Sequence, residues 1–366
     1  MKIVQLVPEL NQGGVERGTV ELSRELVRRG HDSIVISAGG RLVEQVNCDG
    51  GRHLTLDVCS KNPLTAPLRV HRLKRLLRHI RPDIVHARSR VPAWLCVFAL
   101  KGLDIPFVTT VHGFNSVNAY SKVMTRGDRV ICVSRAIRDY IKANYNTPEE
   151  KIRVVHRGVD LDEFCPDRLD TDFVQAFKAR HGLAGRYVAA CVGRITPLKN
   201  FSAFIQAIKR CSATMPDIKG LIVGGARDDK RGHLAELEAL VDSLGLGDTI
   251  IFAGSQQKMA EIYSLSDVVV ACSRKPESFG RSLVEAMAMG RPVVSFAQGG
   301  PLDIIDDGRT GLFCRDGSPD ALAEGIAKAR TTAFADLRSY VKTYFSLDGM
   351  VENELDVYRQ LEKQNP

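Results

Sequence analysis

The chain has 366 residues, more than one hydrophobic core usually holds, so two domains are expected. An apolar share of 44% with 26% charged residues is ordinary globular composition and excludes a disordered or fibrous chain. The net charge of +8 is uneven: residues 1–165 hold 26 Lys+Arg against 17 Asp+Glu, a net of +9, which leaves 25 against 26, a net of −1, for the rest.

In chain order, strands are predicted at 2–7, 33–37, 54–58, 83–87, 106–111, 129–133 and 152–156, with helices at 15–29, 66–80, 92–101 and 135–144. Irregular sequence is expected across 157–185. Strands follow at 187–193, 218–223, 249–253, 268–272, 292–296 and 311–314, with helices at 199–211, 231–243, 257–264, 280–289 and 318–330. Alternation of strand and helix predicts parallel sheets covered on both faces, so an α/β chain of two doubly wound domains is expected. The expected division is 1–165, 166–345 and a tail helix over 346–366, with Leu347, Val351, Leu355, Tyr358 and Leu361 on one stripe that packs back on the first domain.

The excess positive charge centres on the predicted helix 66–80. Leu73, Leu76, Leu77 and Ile80 fall on one face, leaving Arg72, Lys74, Arg75 and Arg78 outward. A solvated face and a contact with an anionic membrane surface both fit this pattern. Nucleic acid does not, because aromatics are 6% of the chain and no basic patch interleaves with them. Nine cysteines, an odd number with no two close together, read as buried free thiols in a reducing compartment. A strand begins at Lys2 without a signal segment, and the longest apolar run, Val91–Leu100, is too short to span a bilayer. A cytoplasmic protein, soluble or peripheral at the inner membrane, is expected.

Candidate site residues gather at predicted strand ends, where doubly wound sheets bind ligands. Gly13 and Gly14 follow the first strand and open the first helix, which suits either a phosphate or a tight turn. Arg194 and Lys199 share the loop after strand 187–193, and two cations at a helix start oppose its dipole unless an anion is bound. His112 ends strand 106–111, and His86 ends its neighbour; either points into a cleft or packs. Glu277 precedes a helix, and Glu285 lies within it among Leu283, Val284, Ala286 and Met287. A buried carboxylate needs a partner, and a polyhydroxylated ligand is one. Neither a six-residue dinucleotide fingerprint nor a Gly-Lys-Ser/Thr phosphate loop is present. No His/Cys set has zinc spacing, and Asp160-Leu161-Asp162 reads as turn sequence, so no metal or other cofactor is expected.

Taken in order, Gly13-Gly14-Val15-Glu16, Val192-Gly193-Arg194 with Lys199, Val223-Gly224-Gly225, Phe252-Ala253-Gly254, Glu277-Ser278-Phe279-Gly280, Glu285-Ala286-Met287-Ala288 and Gly290-Arg291-Pro292-Val293-Val294 span almost the whole chain. In this the chain resembles a family 4 retaining glycosyltransferase. The resemblance implies the GT-B fold, two Rossmann-like domains facing across a cleft, with acceptor side at 1–165 and donor side at 166–345. It implies a hexosyltransferase-type, metal-independent enzyme that takes a nucleotide sugar, a UDP-sugar favoured over a GDP-sugar. The acceptor implied is a glycan or lipid-linked acceptor of the bacterial cell envelope, such as lipopolysaccharide core or capsule.

By the same resemblance, Arg194 and Lys199 bind the donor diphosphate, Glu285 the ribose and Glu277 the sugar. The backbone near Phe279, Gly280, Arg281 and Ser282 meets phosphate and sugar, with Gly225 and Ser255 also on the donor side. Gly13 and Gly14 close over the diphosphate, and His112 sits beside the reacting sugar. Two departures stand out: Arg157 where the family often has Asn before the glycine, and Arg281 in place of an apolar residue. A nucleotide-sugar epimerase of the same architecture and a catalytically silent homologue are the alternatives.

Overall fold

A computed structural model of the protein describes residues 1–11, 13–226 and 231–362. It divides into two compact units: Met1–Gly158 together with the chain from Asp348 onward, and Val159–Leu347. The sequence-based division at 165 falls seven residues beyond that point.

The first unit runs β1 (Lys2–Leu6), α1 (Gly14–Arg28), β2 (Asp32–Ser37), α2 (Val43–Cys48), β3 (Arg52–Thr55), α3 (Ala66–Ile80), β4 (Ile84–Ala87), α4 (Arg90–Ala99), β5 (Phe107–Val111), β6 (Arg129–Cys132), α5 (Arg135–Tyr145) and β7 (Ile152–Val154). Its strands form one parallel sheet in the order β3-β2-β1-β4-β5-β6-β7. Parallel strands are buried on both faces, which is why Ile3-Val4 of β1, Ile34-Val35-Ile36 of β2 and Ile84-Val85 of β4 are consecutive apolar residues.

The second unit runs α6 (Thr171–His181), β8 (Tyr187–Val192), α7 (Phe201–Cys211), β9 (Ile218–Val223), α8 (Arg231–Ser243), β10 (Ile250–Gly254), α9 (Met259–Ser264), β11 (Val268–Ala271), α10 (Arg281–Ala288), β12 (Val293–Phe296), α11 (Pro301–Ile304), β13 (Gly311–Cys314), α12 (Pro319–Ala329) and α13 (Leu337–Tyr344). Its parallel order, β10-β9-β8-β11-β12-β13, repeats the pattern of the first. Phe201, Phe204, Ile208, Ile222 and Leu322 fill the core between this sheet and helices α7 and α12. The chain ends in α14 (Leu347–Glu362); residues 363–366 of the expected tail helix lie outside the described residues.

Among the described residues, four α-helices lie outside the predicted elements: α2, α6, α11 and α13. The stretch expected to be irregular holds α6, started by Asp170, whose carboxylate accepts from the Phe173 amide at 3.0 Å, and ended by Gly182 in the left-handed region. Its polar, weakly periodic sequence buries Phe177 alone. Helix α2 is six residues long and α13 eight, too short to show a clear period. All nine cysteines are free thiols, as expected, but only six are buried: Cys59 and Cys165 are half-buried and Cys48 is exposed.

Both sheets reverse their direction of winding once, between β1 and β4 and between β8 and β11. In such sheets the loops at the carboxyl ends of those strands diverge and leave a crevice, the usual seat of a ligand.

Candidate functional site

In the second unit the two loops beside this crevice are joined by an ion pair. Lys199, from the loop after β8, donates its Nζ to Glu277 Oε1 in the loop after β11, at 2.8 Å. The Ser273 hydroxyl donates to the same oxygen at 2.5 Å. Asn200 stands in the left-handed region (φ 57°) and accepts from Arg274 Nε at 3.0 Å, a second tie between the loops. Burial pushes the Glu277 carboxyl up, but the Lys199 charge and the hydrogen bonds from Lys199 and Ser273 outweigh it, and the net shift is downward. Glu277 is therefore an ionised acceptor. The conflict of Lys199 with the α7 dipole is met by this carboxylate, so the charge itself does not require a bound anion.

Arg194 is exposed in the same loop and makes no hydrogen bond or ion pair among the described residues. The backbone beneath it is drawn tight. The Gly193 amide donates to Val223 O, the Gly224 amide to Gly254 O and the Ile195 amide to Gly225 O. Gly224 takes φ 150°, and a Cβ there would stand 1.8 Å from Gly193 O, so this contact of two loops admits glycine only. A Cβ on Gly225 would reach Ser255 Oγ at 3.1 Å, which sets Ser255 beside the same loops.

Glu285 is 7% exposed, as its apolar neighbours imply. Its partners come from the protein: Tyr263 donates its hydroxyl to Oε2 and Arg281 its Nε to Oε1, each at 2.8 Å. This corrects the expectation that a ligand is needed to compensate the charge, and it gives Arg281 a position, one turn before Glu285 on α10. Gly280 precedes α10 with φ 116°, Ser282 is half-buried in its first turn, and Phe279 is buried with its ring 6.0 Å from that of Phe345.

The crevice of the first unit is built differently. Gly13 and Gly14 are exposed at the start of α1, and Glu16 accepts from the Gly13 amide at 2.5 Å and the Asn11 amide at 3.1 Å. Arg157 lies beneath, donating to Gly14 O at 2.9 Å, and Gly18 leaves it room. His86 is buried completely: its Nε2 is 2.6 Å from Thr110 Oγ1 and its Nδ1 is 2.8 Å from the Tyr358 hydroxyl. Tyr358 in turn donates to Glu354 at 3.1 Å. His86 is thus a packed residue, not one presented to a ligand. Arg88, 1% exposed, reaches Gln5 Oε1 at 3.2 Å and Glu354 Oε2 at 3.4 Å.

His112 is half-buried at the end of β5, and its Nε2 has no hydrogen-bond partner among the described residues. Burial first, then the charges of Arg157 and Arg88, hold it well below the ordinary histidine range, so it is neutral.

On α3, Arg72, Arg75 and Arg78 are exposed, while Lys74 is half-buried and donates to Lys101 O. Lys74 is therefore partly a structural residue, as is Arg69, which is buried and binds Ser60 O and Asn62 O. Asp160 accepts from the Asp162 and Glu163 amides, the turn expected there.

Sequence reasoning did not find Ser273, Tyr263, Arg88 or Glu354, and it placed Tyr358 only on the packing stripe of the tail helix. Only Arg88 had a signal of its own, a charge one residue beyond an apolar strand.

Residues 12–163 match the family described as Glycosyltransferase Family 4, and residues 174–344 match Glycosyl transferases group 1. The D-inositol 3-phosphate glycosyltransferase of Mycobacteroides abscessus is 34% identical over 211 residues, which are 57% of this chain and 45% of that one. The chain spans about half the length of the curated relatives it matches in this way. A glycosyltransferase crystal structure from Rickettsia africae is 29% identical, covers 98% of both chains and superposes with a TM-score of 0.90. HepE of Anabaena, solved in complex with UDP, is 20% identical, covers 98% of this chain and 100% of its own, with a TM-score of 0.85, and shows the shared GT-B type of fold. With both units matched in order, the chain belongs to glycosyltransferase family 4.

Proposed function

We propose that the protein moves a sugar from a nucleotide-sugar donor, a UDP-sugar in preference to a GDP-sugar, to a glycan or lipid-linked acceptor of the bacterial cell envelope, with retention at the anomeric carbon. The observation that carries the reading is the Lys199–Glu277 pair with Arg194 beside it, at the carboxyl ends of the two strands where the second sheet reverses. An anion entering there meets two cations and takes over part of Lys199 from Glu277. HepE, a neighbour in fold, is solved with UDP, which supports a nucleotide-sugar donor.

Breaking the bond from anomeric carbon to phosphate leaves positive charge on the sugar and negative charge on the diphosphate. Arg194, Lys199 and the backbone amides before α10 stabilise the leaving group in place of a metal. The acceptor oxygen bonds to the anomeric carbon on the face the phosphate leaves, and its proton passes to a phosphate oxygen. Glu277 orients the sugar hydroxyls, Glu285 the ribose, and neutral His112 accepts or donates one hydrogen bond at the sugar. Gly13, Gly14, Gly225 and Ser255 offer backbone or hydroxyl contacts to the donor. Arg72, Arg75 and Arg78 hold the enzyme to an anionic membrane surface, peripheral at the inner leaflet.

Calorimetry with UDP, GDP and ADP tests the donor. UDP is expected to bind most tightly, and Arg194→Ala with Lys199→Ala to weaken it at least about tenfold, since each charged hydrogen bond contributes roughly 1.5–3 kcal/mol. Equal affinity of wild type and double variant overturns the site. Turnover is expected to persist in a chelator; loss reversed by magnesium or manganese overturns the metal-independent reading.

A further inference from the structure

On the first unit, four cations surround one open cavity of about 660 Å³ away from the crevice. It lies between the end of α4, the turn Ser121–Thr125 and the end of α5, near the amino ends of β5 and β6. Lys101, Lys122, Arg126 and Lys151 line it, and none of the four makes an ion pair among the described residues. The single acid in the lining, Asp128, is held by the Phe107 amide at 2.8 Å. The floor is apolar, with Val97, Leu100, Ile105 and Phe107. A second hollow of about 470 Å³ shares Ile105, Asp128 and Lys151 with it.

The rim continues the same chemistry. Phe98, 46% exposed, stacks on Trp94 at 5.9 Å, and Trp94 on Tyr120 at 6.4 Å. Each ring carries a cation: Lys101 over Phe98 at 5.2 Å, Arg126 over Trp94 at 5.4 Å and Arg90 over Tyr120 at 5.5 Å. Lys101 is tied through its carbonyl to Lys74 of the basic helix α3, so α3, the ring row and the cavity form one surface. Unpaired cations repel one another, and an apolar floor beneath them gains nothing from inorganic phosphate. A ligand with a phosphate joined to an acyl chain satisfies both parts. Aromatic rings with adjacent cations at the rim suit the boundary between headgroups and acyl chains.

We propose that this cavity binds the phosphate headgroup of an anionic amphiphile, with Lys101, Lys122, Arg126 and Lys151 around the phosphate and the acyl chain over Leu100 and Phe107. The proposal rests on the membrane-surface reading of α3 but names a different set of residues, and the two are separable. A soluble short-chain phosphatidylglycerol is titrated into the full chain by calorimetry, beside inorganic phosphate and a short-chain phosphatidylcholine.

Phosphatidylglycerol is expected to bind, and Lys122→Gln with Lys151→Gln to weaken it roughly thirtyfold, from about 1 kcal/mol for each basic residue near an anionic lipid. Arg72→Glu with Arg75→Glu and Arg78→Glu is expected to lose phosphatidylglycerol vesicles while keeping the short-chain lipid. Retained vesicle binding in that variant overturns the α3 reading and leaves the cavity standing. Equal affinity of wild type and the Lys122/Lys151 variant, with both melting at the same temperature, overturns the cavity. Inorganic phosphate or phosphatidylcholine binding as tightly as phosphatidylglycerol overturns it too.

Discussion

The two sheets of this protein wind in the same order, yet they treat charge at their reversal points in opposite ways. In the second unit the charges stand at the surface of the crevice: Arg194 exposed, Lys199 held to Glu277 across two loops. In the first, Arg88, His86, Glu354 and Tyr358 are sealed from solvent. A partly exposed pair exchanges partners at little cost, because water screens what is lost. A buried pair does not, because each ion left alone carries its full desolvation penalty. The second crevice therefore leaves its charges free to exchange partners, and the first holds its charges in place.

The sharpest way to break the comparison is Arg88→Met. It leaves Glu354 buried without its cation, held by the Tyr358 hydroxyl, and about 3–5 kcal/mol of stability is expected to go from the first unit. Adding Glu354→Leu is expected to restore much of it. The chain has one tryptophan, Trp94, in the first unit, so its fluorescence during urea unfolding reports that unit alone. If Arg88→Met shifts the midpoint no more than an exposed arginine such as Arg72 does, the contrast fails.

Glu285→Ala comes next. Tyr263 and Arg281 lose their shared acceptor, so about 1.5–3 kcal/mol is expected to leave the second unit, with weaker nucleotide binding, while Glu285→Gln retains part of both. Unchanged UDP affinity in a folded Glu285→Ala protein would remove this residue from the donor site.

Acidification sharpens the comparison by pH. His86 and His112 are held well below their ordinary value by burial first, with Arg88 and Arg157 adding to it. The unfolded chain takes up their protons below about pH 6.5 and the folded unit does not, so stability falls as pH drops through that value. Glu277 has the opposite history, a carboxyl lowered in the fold, whose contribution is kept until the pH falls to the carboxylate range. From about pH 7.5 to about pH 5.5 the Trp94 midpoint is expected to drop, less steeply in His86→Asn, while the thermal midpoint of the second unit, where burial lowers His181 to a smaller degree, falls less. A flat Trp94 midpoint contradicts this.

The smallest effect is expected from Lys199→Met. Its side chain is 30% exposed, and stability is expected to change by at most about 1 kcal/mol, although nucleotide affinity falls. A large loss of stability from this change would mean that Lys199, like Arg88, is chiefly structural.

Much of this was legible because strand and helix periods are local. Ala66–Ile80 is bounded as the leucine spacing predicts, and β9 and β13 match their apolar runs residue for residue. The loop positions of Arg194, Lys199 and Glu277 followed from the strand ends. What the charges touch did not. Lys199 and Glu277 lie 78 residues apart and His86 and Tyr358 lie 272 apart, separations at which no period carries information. Glu285 shows the limit most plainly: its need for a partner was readable, and the identity of that partner, Tyr263 from another helix, was not. Arg281 had a readable spacing, four residues before Glu285, but drew notice only as a departure from the family pattern.

The tail helix has a consequence for how the protein is made. Glu354 lies 266 residues after Arg88, with all of the second unit between them. At about 5–20 residues per second a ribosome needs roughly 13 to 53 s to join the two. From Val154 onward the first unit has every strand of its sheet, but until Glu354 is joined it has no carboxylate for the Arg88 guanidinium. The second unit is synthesised whole within that interval. The order of completion during translation is thus the reverse of the order of synthesis: the half that emerges first is the half that closes last.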